Sequence, residues 1–192
     1  VTVWRYRHKW NSEIIKFIIP LAFVGVLIGT FTFSYLTNDH IRMIIGLMAI
    51  IFCLDYYFRK DSDKPKKPSK FASYFWPSLS GFTSFSIHAG GLPLSFYLLP
   101  MRLDRTMYVA TAGLFYLLIN LFKIFPYAYL GEMNFENIYT SLLLLPLAPL
   151  GVYFGAYLVD KIGQDWFYKI GYFCTLLAGC KLFYDGSIKL FL

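Results

Sequence analysis

Hydrophobic positions along this chain follow neither the two-residue alternation of a half-buried strand nor the one-sided spacing of a surface helix; they come in blocks. Six blocks are long, at 14–36, 41–58, 71–100, 107–130, 138–159 and 166–184. A helix needs roughly 20 mainly apolar residues to cross a bilayer. Lipid supplies no partner for a backbone N–H or C=O, so each block has to be helical or shielded by protein. The pattern predicts an all-α integral membrane protein.

Composition sharpens this. Hydrophobic residues make up 57% of the 192 and charged residues 15%, against about 25% charged in an ordinary soluble domain. The formal charge of +7 would suit nucleic acid, but its placement argues against that partner. Six of the 18 Lys and Arg residues sit in the run 59–70, and Arg5, Arg7, Lys9 and Lys16 precede or open the first block. Two crossings separate these basic segments, which puts them on one side of the membrane. The positive-inside rule makes that side cytoplasmic, and the inner (plasma) membrane the expected location. Membrane lipids are therefore an expected partner, with anionic headgroups the ones that basic segments attract.

The chain also repeats. Pro20-Leu21-Ala22 with Gly25 and Gly29 recurs as Pro146-Leu147-Ala148 with Gly151 and Gly155, and Asp39 and Asp165 keep the same offset. With one residue deleted, Gly46 aligns with Gly171. A two-repeat helical bundle follows, an architecture of many secondary transporters. We divide the chain into the C-terminal part of a first repeat (1–58), a basic linker (59–70) and a second repeat (71–192). Roughly 75 residues separate the linker from Pro146 but only 19 precede Pro20, so equal repeats would place about 50–60 further residues upstream of Val1. The recurring Gly-x-x-x-Gly pairs suit close helix packing, and their recurrence leads us to expect the two repeats to touch there.

The block 71–100 is unlike the others because Gly90, Gly91 and Pro93 interrupt it. The glycines release the backbone from helical angles, and proline favours the first turn of a new helix. A broken helix in the second repeat is predicted, its second half starting near Leu92–Pro93. A helix N-terminus presents unpaired N–H groups and the positive end of a dipole, which suit an anion. His88 adds an ionisable group, and Ser84, one turn earlier, a hydroxyl. Candidate substrate-binding residues are Ser84, His88, Ala89, Gly90, Gly91, Pro93 and Asn120. The same break would also serve close helix packing, with His88 bonding a carbonyl. Asn120 is either a lining residue or one side of an interhelical hydrogen bond. Thr111, nine residues earlier, is expected on another face. Lys123, before Pro126, is expected to snorkel to the headgroups.

Cys53, Cys174 and Cys180 lie in apolar blocks without metal-ligand or disulfide spacing and are expected to be small buried side chains. His8, His40 and His88 are scattered and form no zinc-protease pattern; no phosphate-binding loop occurs. No catalytic residues, metal or cofactors are expected, and the chain does not resemble an enzyme. The alternative to a carrier is a non-transporting membrane scaffold or assembly subunit.

Gly81-Phe82-Thr83-Ser84, His88-Ala89-Gly90-Gly91-Leu92-Pro93, Tyr97-Leu98-Leu99-Pro100 and Leu103-Asp104-Arg105-Thr106 together resemble the second-half signature of the TauE/SafE sulfite exporter family. Ile119-Asn120-Leu121-Phe122-Lys123 followed by Pro126-Tyr127 fits as well. The resemblance implies a secondary transporter for small sulfur-containing anions, sulfite or an organosulfonate. His88 and Ala89 stand where other members carry glycine, and Leu92 where proline is frequent, which implies a His-bearing branch. The expected partners are the anion, lipid and a second copy in a homodimer. His88, whose ordinary titration range includes neutral pH, offers a route for proton coupling. The block 71–100 can cross fully, giving parallel repeats, or dip and return, giving inverted ones. The eight spans usual in the family favour a full but broken crossing.

Overall fold

The computed structural model describes residues 2–32, 37–58, 64–130 and 145–191. The linker residues 59–63 and the first part of the block 138–159 lie outside them. The described residues form α1 (Thr2–Arg5), α2 (Ser12–Thr32), α3 (Asn38–Phe58), α4 (Lys70–Ser86), α5 (Gly91–Leu98) with a 3-10 turn at Leu99–Met101, α6 (Arg105–Tyr129), α7 (Leu147–Lys161) and α8 (Gln164–Phe191). The protein is a helical membrane bundle. By length and composition α2, α3 and α6 can each cross a bilayer. At 28 residues α8 has the length, but Asp165, Lys169, Lys181, Asp185 and Lys189 dilute its apolar surface.

The broken block does not cross. Three contacts pair its two halves in opposite directions. Lys66 N–H donates to Pro100 O at 2.8 Å, the rings of Trp76 and Phe96 meet at 5.0 Å, and Ser80 Oγ donates to Gly90 O at 2.7 Å. The residue numbers rise on one half as they fall on the other, which describes a hairpin. At 1.5 Å per residue, α4 reaches about 25 Å in, while α5 and the 3-10 turn return about 18 Å. The expected full crossing is thus corrected to a re-entrant hairpin. The reversal is local in origin. Ile87 ends α4, and His88 adopts φ 55°, the left-handed region. Gly90 then permits the close return, since a Cβ there would stand 2.6 Å from both Ser80 O and Ser84 Cβ.

The hairpin is wedged into the bundle's centre. Ile18, Ala22 and Val26 of α2, Phe85 and Leu94 of the hairpin and Phe115 and Ile119 of α6 share one buried cluster. On the other side, Leu92 and Phe96 pack with Ile41, Ile45 and Ala49 of α3. Helices α2 and α4 run parallel, Phe17 meeting Tyr74 and Gly29 meeting Phe85. Gly25 lies against the Ser78 carbonyl, and Gly81 against that of Ala22. By contrast nothing stands within 4 Å of a Cβ at Gly151 or Gly155. The two recurring glycine pairs therefore do not touch each other among the described residues. The first takes its partner from α4, which brings its own small residue, Gly81.

Helices α3 and α8 are antiparallel, with Gly186 on Met43, Gly179 on Ala49 and Tyr172 stacked on Tyr56. Arg5, just before α2, pairs with Asp160 at the end of α7 (2.6 Å), so α2 and α7 also run oppositely. The sequence-related pairs α2–α3 and α7–α8 are thus inverted. Cys53 is buried, its Sγ 3.4 Å from Tyr172 O. Cys174 and Cys180 are exposed on α8, which corrects the expectation that all three are buried.

Asp104 caps α6, its carboxylate accepting from Thr106 N (2.9 Å), Met107 N (3.3 Å) and Thr106 Oγ1 (2.5 Å). The Thr106 hydroxyl bond, then the backbone bonds, hold this carboxyl below its ordinary range. The native state favours the ionised form, so the contribution is present at neutral pH and lost as pH falls through the depressed value. Asp104→Ala is expected to lower stability by about 1 kcal/mol at pH 7. In denaturant titrations the difference from wild type should shrink in acid.

Candidate functional site

The site is built by the hairpin tip and the α6 face beside it. Helix α4 ends at Ser86 with its last carbonyls exposed to partners, as every helix C-terminus does. The amides of Ile87 and Ala89 both turn back to Thr83 O at 3.1 Å. Helix α5 then opens at Gly91 with Gly90 as its cap and no side-chain cap bond. In its first turn Leu92 N–H reaches Ala89 O at 3.3 Å, and Pro93 has no N–H to satisfy. The amides of Gly90 and Gly91 donate to nothing among the described residues. Gly91 is exposed, and so is His88 beside it. Gly90 is buried, so of the two donors only Gly91, at the positive end of the α5 dipole, lies at an exposed residue.

The tip holds Ser84, His88, Ala89, Gly90, Gly91 and Pro93 near one another, with a geometry unlike the expected one. Ser84 and His88 do not share a helical face, because the helix stops at Ser86 and His88 is left-handed. Ser84 is buried and its oxygens are engaged elsewhere. Lys123 Nζ donates to Ser84 O at 2.8 Å and to Ser84 Oγ at 3.2 Å. Lys123 is only 5% exposed, which corrects the expectation that it snorkels. The physical reason lies in α4, whose orphan carbonyl and negative dipole end attract a cation inward.

Helix α6 meets the tip at positions 116, 123 and 127, and 120 falls on the same face, a stripe of i, i+4, i+7, i+11 spacing. Tyr116 Oη would stand 3.4 Å from a Cβ on Gly91. Tyr127 Oη donates to Phe85 O at 2.9 Å, and its ring lies 4.8 Å from that of Phe85 and 6.1 Å from that of His88. Asn120 falls in this stripe but is exposed, with no hydrogen bond to the tip. Thr111 serves elsewhere, accepting the Asn11 N–H at 3.0 Å at the start of α2.

A cavity of about 400 Å³ adjoins the tip on the side away from the linker. Ile87 and Ala89 line it together with Arg42 of α3 and Asp185, Ile188 and Lys189 of α8. Arg42 is bonded to Asp39 (3.0 Å), and Asp185 to Lys181 (2.9 Å). Two tip residues, Ile87 and Ala89, thus face a space flanked by Arg42 and Lys189, which His88, Gly90 and Gly91 do not line.

A family model described as sulfite exporter TauE/SafE matches residues 1–182. The chain belongs to this family. No curated protein and no solved structure matches it. TauE/SafE proteins are multi-pass membrane transporters for sulfite or related sulfur anions, and membership supports reading this chain as a transporter rather than an enzyme. In this TauE/SafE chain, sequence reasoning missed Tyr116, Lys123 and Tyr127 as neighbours of the break. Their common spacing was visible; the helix face opposite them was not. Arg42 and Lys189 carried no sequence signal, since α3 and α8 meet only in the folded bundle.

Proposed function

We propose that the chain is a secondary transporter of small sulfur-containing anions, sulfite or an organosulfonate, held at the α5 N-terminus formed by Gly90, Gly91, Leu92 and Pro93. The observation that carries this reading is the pair of amides at the α5 start, buried Gly90 and exposed Gly91, which donate to nothing among the described residues inside a helical membrane bundle. An anion there gains two N–H donors and the helix dipole while displacing no existing bond. His88, exposed beside Gly91, supplies a donor to the anion's remaining oxygens, and Asn120, exposed on the α6 face, is the further lining candidate. The cavity between Arg42 and Lys189 is the approach from the side opposite the linker. Residues 59–70 then face the cytoplasm, consistent with their charge.

The inverted α2–α3 and α7–α8 pairs support alternating access, in which inverted repeats rock around a fixed mid-membrane site. The test is a thermal-shift panel of sulfite, thiosulfate, taurine, sulfoacetate and chloride on the purified protein, followed by flux in liposomes. At 100 times its Kd, a specific ligand adds about 2.7 kcal/mol of stability. Sulfite or a sulfonate should raise Tm well above chloride at equal ionic strength. A flat panel, with no protein-dependent flux, would remove the carrier reading.

A further inference from the structure

We infer that Lys123 is an anion-binding residue, its ammonium serving as the fixed counter-charge for a monoanionic oxyanion seated at the hairpin tip. The inference rests on the carrier reading above and adds to it the source of charge and the valence of the cargo. Lys123 is 5% exposed, and burying an ammonium is tolerated when its charge is compensated. Its partners are the carbonyl and hydroxyl of Ser84, both neutral, and the face of Tyr127 at 5.8 Å. No carboxylate pairs with it among the described residues. Nor does the sequence place one nearby on these elements, since 64–103 contains no Asp or Glu and 105–131 contains none either.

Capping α4 does not account for a full charge. The adjacent orphan carbonyl, Phe85 O, is satisfied by the neutral hydroxyl of Tyr127. A helix C-terminus supplies roughly half a negative charge, which leaves the ammonium undercompensated. Ser84 is what connects it to the anion site. Lys123 Nζ lies on its Oγ, and a Cβ at Gly90 would stand 2.6 Å from the Ser84 Cβ. The ammonium is thus one side chain away from Gly90, whose amide donates to nothing among the described residues. Three donors on a flexible stem allow it to exchange the Ser84 hydroxyl for an anion oxygen. One fixed positive charge, with the amides contributing only dipoles, neutralises one negative charge, so the site suits a hydrogensulfite-like or sulfonate monoanion.

The experiment compares methanesulfonate with dimethyl sulfone, which share a shape and differ by one charge, in calorimetric titrations of the whole protein. Wild type should bind methanesulfonate and discriminate against the sulfone. Lys123→Gln should lose about tenfold or more in methanesulfonate affinity, the worth of one charged hydrogen bond, with little change for the sulfone. Lys123→Arg, which keeps the charge, should restore discrimination. Ser84→Ala guards against Lys123→Gln failing to fold; by removing the competing hydroxyl it should tighten methanesulfonate binding two- to threefold, to about that order. Unchanged discrimination in Lys123→Gln, or unchanged or weaker binding in Ser84→Ala, overturns the inference and leaves the carrier reading standing. Wild type that binds neither methanesulfonate nor sulfite overturns both.

Discussion

Replacing Gly91 by Leu is expected to reduce anion flux in liposomes to the level of protein-free vesicles while leaving the protein folded. Stability and transport should move in opposite directions here. Gly91 is the first residue of α5 and is exposed; a Cβ there would meet only Tyr116 Oη at 3.4 Å, an ordinary contact. Its backbone lies outside the left-handed region, so a side chain introduces no strain. Helix propensity even favours the change, by up to about 1 kcal/mol. Yet the three further carbons of leucine would occupy the space in front of the Gly90 and Gly91 amides, where the anion is proposed to sit. Gly91→Ala is the control, adding only the tolerated Cβ and retaining measurable flux. Wild-type flux in Gly91→Leu would show that the first-turn amides are not the binding point.

Gly25→Leu should produce the largest loss of stability of any substitution in α2. A Cβ at Gly25 would overlap Ser78 O and stand 2.8 Å from Phe82 N, backbone atoms that no rotamer change can move. Overpacking commonly costs 1–3 kcal/mol and occasionally more; with backbone on both sides of the contact, at least about 3 kcal/mol is expected here. The damage should spread to the site, because α2 supports the α4 half of the hairpin through Ala22–Gly81 and Gly29–Phe85. Gly163→Ala, at a position with open space around it, should change stability by less than about 0.5 kcal/mol. Midpoints in a denaturant titration, with anion-dependent thermal shifts on the same samples, measure both effects. Equal midpoints for Gly25→Leu and wild type would mean that α2 does not brace the hairpin.

These expectations bring together what was readable early and what was not. The interruption at Gly90, Gly91 and Pro93 was legible because backbone permissiveness and a missing N–H are properties of residues, whatever surrounds them. The start of α5 came one residue before the range marked by Leu92 and Pro93, and a helix boundary of that kind is seldom sharper from sequence. Direction was another matter. A broken crossing and a hairpin have the same residues in the same order, and they differ in whether Trp76 meets Phe96 and Lys66 meets Pro100. Family habit favoured the crossing; the contacts decided for the hairpin. Lys123 shows the same limit. Near a helix end, before proline, a lysine ordinarily reaches for headgroups, and only the carbonyl end of α4 across from it reveals why this one turns inward.

By itself the sequence determined that this chain belongs in a bilayer as helices, that one apolar block is broken, and that the chain is of the sulfite-exporter kind. The first two follow from composition and local residue order, and the third from the motifs' resemblance to the family. Tertiary structure alone decided that the broken block returns to its starting side, that the two related helix pairs run in opposite senses, and that Gly25 faces α4 while Gly151 faces no described neighbour. It also placed the buried lysine on Ser84, against which Gly90 packs. The reason is physical. Partition into lipid and backbone angles are set residue by residue, whereas a charge or a glycine acquires its role from whichever surface the fold brings against it.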